Sequence, residues 1–182
     1  DLERRLDELL KRIEDRVREL VRTLEESLRE LERRVREIIR RLERDHMVLH
    51  EYVNAAGITN KPDKAVKDDV RRLRENADRL NKRVREELKK LREDVKRVNE
   101  DVKRELDKLA EEAKDMLRKL REAGIDERVI KKAEEDVRRL LREIEEVSER
   151  HKREVDRLER EIEEVSREHK ERVEKLLREI ER

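Results

Sequence analysis

The sequence predicts an all-α fold, a long and nearly straight antiparallel three-helix bundle, on three observations. Charged residues make up 58% of the 182 residues and apolar residues only 33%, whereas ordinary globular chains are about 25% charged. Helix breakers are nearly absent, with two glycines and one proline. The apolar residues recur with helical spacing, and a helix needs only a narrow apolar stripe to pack against its neighbours.

The few breakers divide the chain into three helices of similar length within one domain, residues 1–182. We expect these helices at about 2–56, 62–123 and 126–182. Pro62 suits the first turn of a helix, where its missing N–H costs nothing. Gly124 suits the left-handed position that closes a helix, and Asp126 suits the N-cap of the next one. Connections this short make successive helices antiparallel.

The apolar stripes have a repeat of 18 residues, with helix 3 as the clearest case. Its residue types return after that interval in the pairs Ile144/Ile162, Val147/Val165, His151/His169 and Val155/Val173. Eighteen residues are five turns of an α-helix at 3.6 residues per turn. A seven-residue repeat imposes a supercoil, so this repeat predicts straight helices, a geometry typical of parametric design.

Polar side chains on the apolar faces follow the same interval. Folding the helices back on one another predicts two polar layers, the first made of Thr23, Ser27, Asn99, Ser148 and His151, and the second of Asn81, Ser166 and His169. Each layer offers one histidine and no paired carboxylate, and Asn and Ser are poor metal ligands. We therefore expect a hydrogen-bond network that specifies helix order rather than a metal or hydrolytic site. We predict no catalytic residue, no metal and no cofactor.

The charge pattern argues against several classes of partner. The 53 basic and 52 acidic residues balance and alternate in sign, as on a solvated, ion-paired helix surface. Nucleic-acid binders usually carry a basic excess on one face. No apolar run approaches the length of a membrane span, no signal peptide opens the chain, and without cysteine there is no disulfide. We expect a soluble product, cytoplasmic on expression and with no native compartment.

One segment departs from this style. It reads Arg44, Asp45, His46, Met47, Val48, Leu49, His50, Glu51, Tyr52, Val53, Asn54, Ala55, Ala56, Gly57, Ile58 and Thr59. This 44–59 segment holds the chain's only aromatic residue and two of its four histidines. Its residues also alternate as in a strand, with Met47, Leu49, Glu51 and Val53 on one face.

The 44–59 segment resembles the eleventh β-strand of green fluorescent protein, in the variant used as the small tag of a self-complementing split reporter. The resemblance covers sixteen consecutive residues of the 182. It implies a partner, the ten-stranded remainder of the barrel, which the added strand would complete so that the chromophore matures. It also implies that Glu51 would lie beside that chromophore, with Met47, Leu49 and Val53 packing inward. The chromophore-forming residues are not in this chain, so it would not fluoresce alone.

The segment is either a tag in the loop after helix 1 or a continuation of helix 1, and the repeat favours the helix. Adding 18 to the stripe of helix 1 maps Leu24 to Leu42 and Leu31 to Leu49, so the stripe runs through the segment in register. As part of helix 1, Asp45 and His46 would also reach the level of the Asn81/His169 layer. We therefore favour a non-enzymatic caged switch of the kind used in biosensors, opened by mutation or by a designed competing helix. The alternative is a purely structural bundle or oligomer subunit with a passive tag. We expect a monomer, with an oligomer left open.

Overall fold

Three long helices account for nearly the whole chain. A computed structural model describes residues 1–59 and 63–181, apart from the side chains of residues 56–59. The helices are α1 (Leu2–Thr59), α2 (Asp63–Glu122) and α3 (Glu127–Glu181). The described residues contain no β-strand. The predicted all-α, three-helix fold class is confirmed.

The helix bounds differ from the predicted ones by a few residues. α1 continues through Gly57 to Thr59 instead of ending near residue 56, because one glycine inside a helix costs only about 1 kcal/mol. α2 begins at Asp63 and ends at Glu122, and α3 begins at Glu127. Pro62, which the sequence places in the first turn of helix 2, lies outside the described residues, as does Arg182.

The turn between α2 and α3 has the predicted end signals. Gly124 has a φ of +76°, the left-handed conformation that glycine adopts without a Cβ penalty. The Ile125 N–H donates to the Leu120 carbonyl and the Gly124 N–H to the Arg121 carbonyl, both at 3.1 Å, which is the Schellman pattern. Oδ1 of Asp126 then accepts the Arg128 N–H at 3.0 Å, so this carboxylate is the N-cap of α3.

The chain divides into two compact units. The first unit contains residues 1–29 and 93–154, and the second unit contains residues 30–92 and 155–182. Each unit takes one stretch of every helix. The single domain over residues 1–182 that the sequence predicts stays a prediction.

Contacts between side chains show how the helices run relative to one another within each unit. In the first unit, Arg12 pairs with Glu112 and Arg16 with Glu105, so α2 runs antiparallel to α1. In the second unit, α2 runs antiparallel to both neighbours. Its contacts there are Arg41–Glu87 and Tyr52–Asp69 with α1, and Arg92–Glu159 and Arg74–Glu174 with α3.

The buried residues keep the 18-residue repeat. Buried pairs separated by that interval are Leu24/Leu42, Leu31/Leu49, Val84/Val102, Ile144/Ile162 and His151/His169. The outer surfaces carry ion pairs one helical turn apart, such as Arg33 with Glu30 and Glu37, and each such exposed pair contributes little to stability. Among the helices described, none combines the length and apolar character that crossing a membrane requires.

Candidate functional site

The 44–59 segment forms the C-terminal end of α1, in the second unit. Its inward-facing side chains are buried or half-buried and recur every three to four residues: Asp45, His46, Leu49, Tyr52 and Val53. The side chains exposed to solvent are Arg44, Met47, Val48, His50, Glu51, Asn54 and Ala55. Those of Ala56, Gly57, Ile58 and Thr59 lie outside the described part. Although the sequence alternates like a strand, its buried and exposed side chains follow the spacing of a helix, with one inner and one outer face.

Leu49 anchors the segment in the core. Its side chain is 1% exposed and belongs to a cluster with Val70, Ala77, Val173 and Leu177, from α2 and α3. Fully burying a leucine contributes about 1.5–3 kcal/mol relative to leaving it exposed. Leu49 is therefore the main apolar contact that holds this part of α1 against both neighbouring helices.

Tyr52 provides a polar contact one turn further along. Its hydroxyl donates to Oδ2 of Asp69 on α2 at 2.5 Å, and Oδ1 of the same carboxylate accepts a hydrogen bond from Arg72. Burial, and next the hydrogen bond to Asp69, raise the pKa of Tyr52 to about 12 from its ordinary value of 10.0. Both causes favour the neutral phenol, so the segment stays attached through an un-ionised tyrosine at neutral pH.

Asp45 links the start of the segment to α3. Nε2 of His169 lies 2.7 Å from Oδ2 of Asp45, and the imidazole is almost completely buried while the carboxylate is 23% exposed. His46 is half-buried beside this pair. Burial is the main cause that lowers the pKa of His46, and the charge of Arg172 on α3 lowers it further. The segment thus makes hydrogen-bonded contacts to both neighbouring helices.

The structure brings some of the predicted polar residues together. In the second unit, the Ser166 hydroxyl donates to Oδ1 of Asn81 at 3.4 Å, while His169 bonds to Asp45. In the first unit, Nε2 of His151 lies 3.4 Å from the Ser27 hydroxyl. The second layer therefore draws its partner on α1 from the 44–59 segment itself.

Other members of the predicted first layer lie apart from these contacts. Thr23 is exposed, and its hydroxyl donates to the Glu19 carbonyl in its own helix at 3.0 Å, a local bond that Thr commonly makes in helices. Asn99 is half-buried and its Oδ1 has no hydrogen-bond partner. Ser148 is half-buried beside His151 on α3.

The contact of Asp45 was predictable from the sequence, and that of Tyr52 was not predicted. A helical 44–59 segment is expected to bring Asp45 and His46 to the level of the Asn81/His169 layer, and in the structure Asp45 bonds to His169. A fold-back centred near residue 60 sets residue 52 level with residue 68, one position from its partner Asp69. The contact could have been found from the chemistry of the two residues. A buried tyrosine hydroxyl generally has a hydrogen-bond partner, and Asp69 lies at the level of Tyr52 on the neighbouring helix.

Comparisons with known proteins support the fold. A solved structure titled "Computationally designed three helix bundle" superposes with a TM-score of 0.59 at 16% sequence identity, over 97% of this chain and 91% of that one. Identity this low is informative about the fold alone. No protein-family model matches the chain, and no curated protein does either.

Proposed function

We propose that this protein is a designed, non-enzymatic helical scaffold that keeps the 44–59 segment occluded as a helix and releases it to the ten-stranded fragment of green fluorescent protein. The observation that carries this proposal is the burial of Leu49, at 1% exposure, within the cluster contributed by α2 and α3. The resemblance assigns the same side chain to the interior of the barrel. One leucine cannot occupy both cores, so docking and complementation exclude each other.

The backbone supports the same exclusion. Within α1 the N–H groups of the segment are committed to carbonyls four residues earlier. A strand added to a sheet edge needs those N–H and C=O groups for its neighbours. The segment therefore has to leave the helix before it pairs with the barrel, and the free energy of undocking enters the free energy of complementation.

The composition of the segment keeps that undocking cost moderate. Val48, Tyr52, Val53 and Asn54 are weaker helix formers than the Leu, Arg and Glu residues that make up most of α1, by up to about 0.7 kcal/mol each. Met47 and Val48 are 62% and 58% exposed, so they contribute little to docking. The helical form consequently depends on Leu49, Tyr52 and Asp45, a small set of contacts that a partner can replace.

Complementation by the intact protein tests the proposal. The rate at which fluorescence appears with the ten-stranded fragment is compared with that of a free peptide of residues 44–59, at concentrations where association is slower than chromophore maturation. We expect the intact protein to be at least tenfold slower. An equal rate contradicts occlusion.

A matched pair of variants locates the barrier without altering the segment. Leu177 and Leu120 are both 0% exposed, but only Leu177 packs in the cluster that contains Leu49, whereas Leu120 lies in a cluster with no residue of the segment. Each Leu→Ala change costs about 2–5 kcal/mol of folding free energy. We expect Leu177→Ala to accelerate complementation at least tenfold and Leu120→Ala to leave it nearly unchanged. Equal acceleration by both contradicts local occlusion.

A purely structural role is the second candidate, and the similarity in fold to a designed three-helix bundle favours it. In that case the protein was designed for the bundle structure itself, as a monomer or an oligomer subunit, and the segment is a passive detection tag. Sedimentation of the intact protein distinguishes monomer from oligomer. A passive tag predicts that Leu177→Ala leaves the complementation rate unchanged.

A further inference from the structure

Two histidines of the 44–59 segment face each other across one helical turn. His46 and His50 have ring centroids 6.4 Å apart, with an angle of 26° between the ring planes. They are four residues apart on α1, and neighbours at that spacing lie on the same face of a helix. The sequence predicts His46 at the level of the second polar layer and His50 in neither layer, and the pairing of the two rings requires the segment to be helical.

The two rings lie slightly further apart than two imidazoles that bind the same metal ion. Tetrahedral Zn²⁺ binds imidazole nitrogens at about 2.0–2.1 Å, which places the two ring centroids about 5 Å apart. His50 is exposed and free to turn toward its neighbour. Nδ1 of His46 is buried and has no hydrogen-bond partner, so a rotation of this ring that turns it toward the ion breaks no bond at that nitrogen. Side-chain rotation alone therefore brings the rings to chelating distance.

The electrostatic surroundings are mixed. Burial, followed by the charges of Arg172, His169 and His50, lowers the pKa of His46, while Asp45 acts in the opposite direction. The described residues contain no group of three or more His, Cys, Asp or Glu side chains placed to hold a metal. Water would complete the coordination, and the positive charge of Arg172 would weaken binding.

We propose that His46 and His50 form a two-donor site for a divalent transition cation, with Zn²⁺ as its test ligand, which exists only while the 44–59 segment is helical. Positions four apart are separated by about 6 Å along a helix axis. In an extended strand they are separated by about 13 Å, too far for one ion to bridge at a tetrahedral angle. The cation therefore binds the helical form and not the strand form.

This selectivity would make the cation a lock on the segment, an effect that rests on the proposed function. A ligand that binds only one of two states favours that state by a factor of 1 + [L]/Kd. At a free Zn²⁺ concentration ten times the Kd, the released fraction falls about elevenfold. Complementation that requires release slows by the same factor.

Direct binding tests the site without the barrel fragment. Zn²⁺ is titrated calorimetrically into the full-length protein, free of any oligohistidine tag, at pH 7.5. We expect one site that His50→Gln abolishes and that Glu51→Gln, a change at the adjacent exposed position, retains. Circular dichroism checks that both variants stay helical. The absence of binding, or equal binding by the His50→Gln variant, overturns the proposal.

Complementation then tests the lock. At Zn²⁺ ten times the measured Kd, we expect the intact protein to slow about elevenfold, while the His50→Gln variant and the free 44–59 peptide keep their metal-free rates. Equal slowing of the variant overturns the lock. If the intact protein complements as fast as the peptide without Zn²⁺, the proposed occlusion fails, whereas the calorimetric result still decides the metal site.

Discussion

Nε2 of His169 on α3 lies 2.7 Å from Oδ2 of Asp45 on α1, while the equivalent histidine one repeat earlier, His151, lies 3.4 Å from the Ser27 hydroxyl. Both imidazoles are buried. The first contact joins the 44–59 segment to α3, and the second joins residues outside the segment. The two histidines occupy equivalent positions in the repeat, but of the two only His169 bonds to a residue of the 44–59 segment.

That difference makes the two histidines matched probes of release. His169→Leu leaves the mostly buried Asp45 carboxylate without its partner, which costs about 1–3 kcal/mol. We expect complementation of the ten-stranded fragment to accelerate about fivefold or more. His151→Leu removes a buried histidine of the same type and is expected to leave the rate within twofold of the parent. Equal rates for the two variants would show that the Asp45 contact does not restrain the segment.

The single tyrosine reports on docking by absorbance. With a pKa of about 12, only about 3% of Tyr52 is ionised at pH 10.5, compared with about 75% for a tyrosine of ordinary pKa in the free peptide. The absorbance of tyrosinate measures both fractions directly. We expect Asp69→Ala to raise the ionised fraction and Asp68→Ala, a change at the exposed neighbour, to leave it low. A peptide-like fraction in the intact protein would mean that Tyr52 is not docked.

Acidification is expected to destabilise the bundle through His151. Burial lowers its pKa below the ordinary 6.5, so the unfolded chain takes up a proton before the folded one. The contribution to stability is present above about pH 6.5 and is lost as pH falls toward the folded-state pKa, by at most about 1.4 kcal/mol per pH unit. Urea unfolding at pH 7.5 and 5 measures this loss.

The variant His151→Leu isolates that contribution, because every other titrating group is kept. We expect it to lose less stability than the parent between the two pH values. A parent and variant with the same pH dependence would show that the protonation of His151 is not linked to folding.

The turn between α2 and α3 depends on the conformation of Gly124. A Cβ at this position meets no atom within 4 Å, yet the φ of +76° is one that L-residues rarely adopt. We expect Gly124→Ala to lower the free energy of unfolding by about 1 kcal/mol and Gly124→Asn by less, since asparagine tolerates this conformation better. Thermal or urea unfolding measures both, and an unchanged stability for Gly124→Ala would contradict the requirement for glycine at this positive φ.

The fold class was predictable because each of its determinants is local. The 18-residue repeat that pairs Leu31 with Leu49 defines the buried stripe, and Gly124 with Asp126 marks the turn. The end of α1 was less predictable. Gly57 suggested a stop near residue 56, but the helix continues to Thr59, because a glycine weakens a helix without being able to end it alone.

The sequence by itself determined that residues 44–59 can be read with two periods, as a strand or as a helix in register with the stripe of α1. It also placed Leu49 on the buried face in either case. Only the tertiary structure decided which period is used here. Leu49 packs against α2 and α3, Tyr52 bonds to Asp69, and Asp45 bonds to His169. Those partners lie 17 to 128 residues away along the chain, and such contacts override the weak local preference of the segment for a strand.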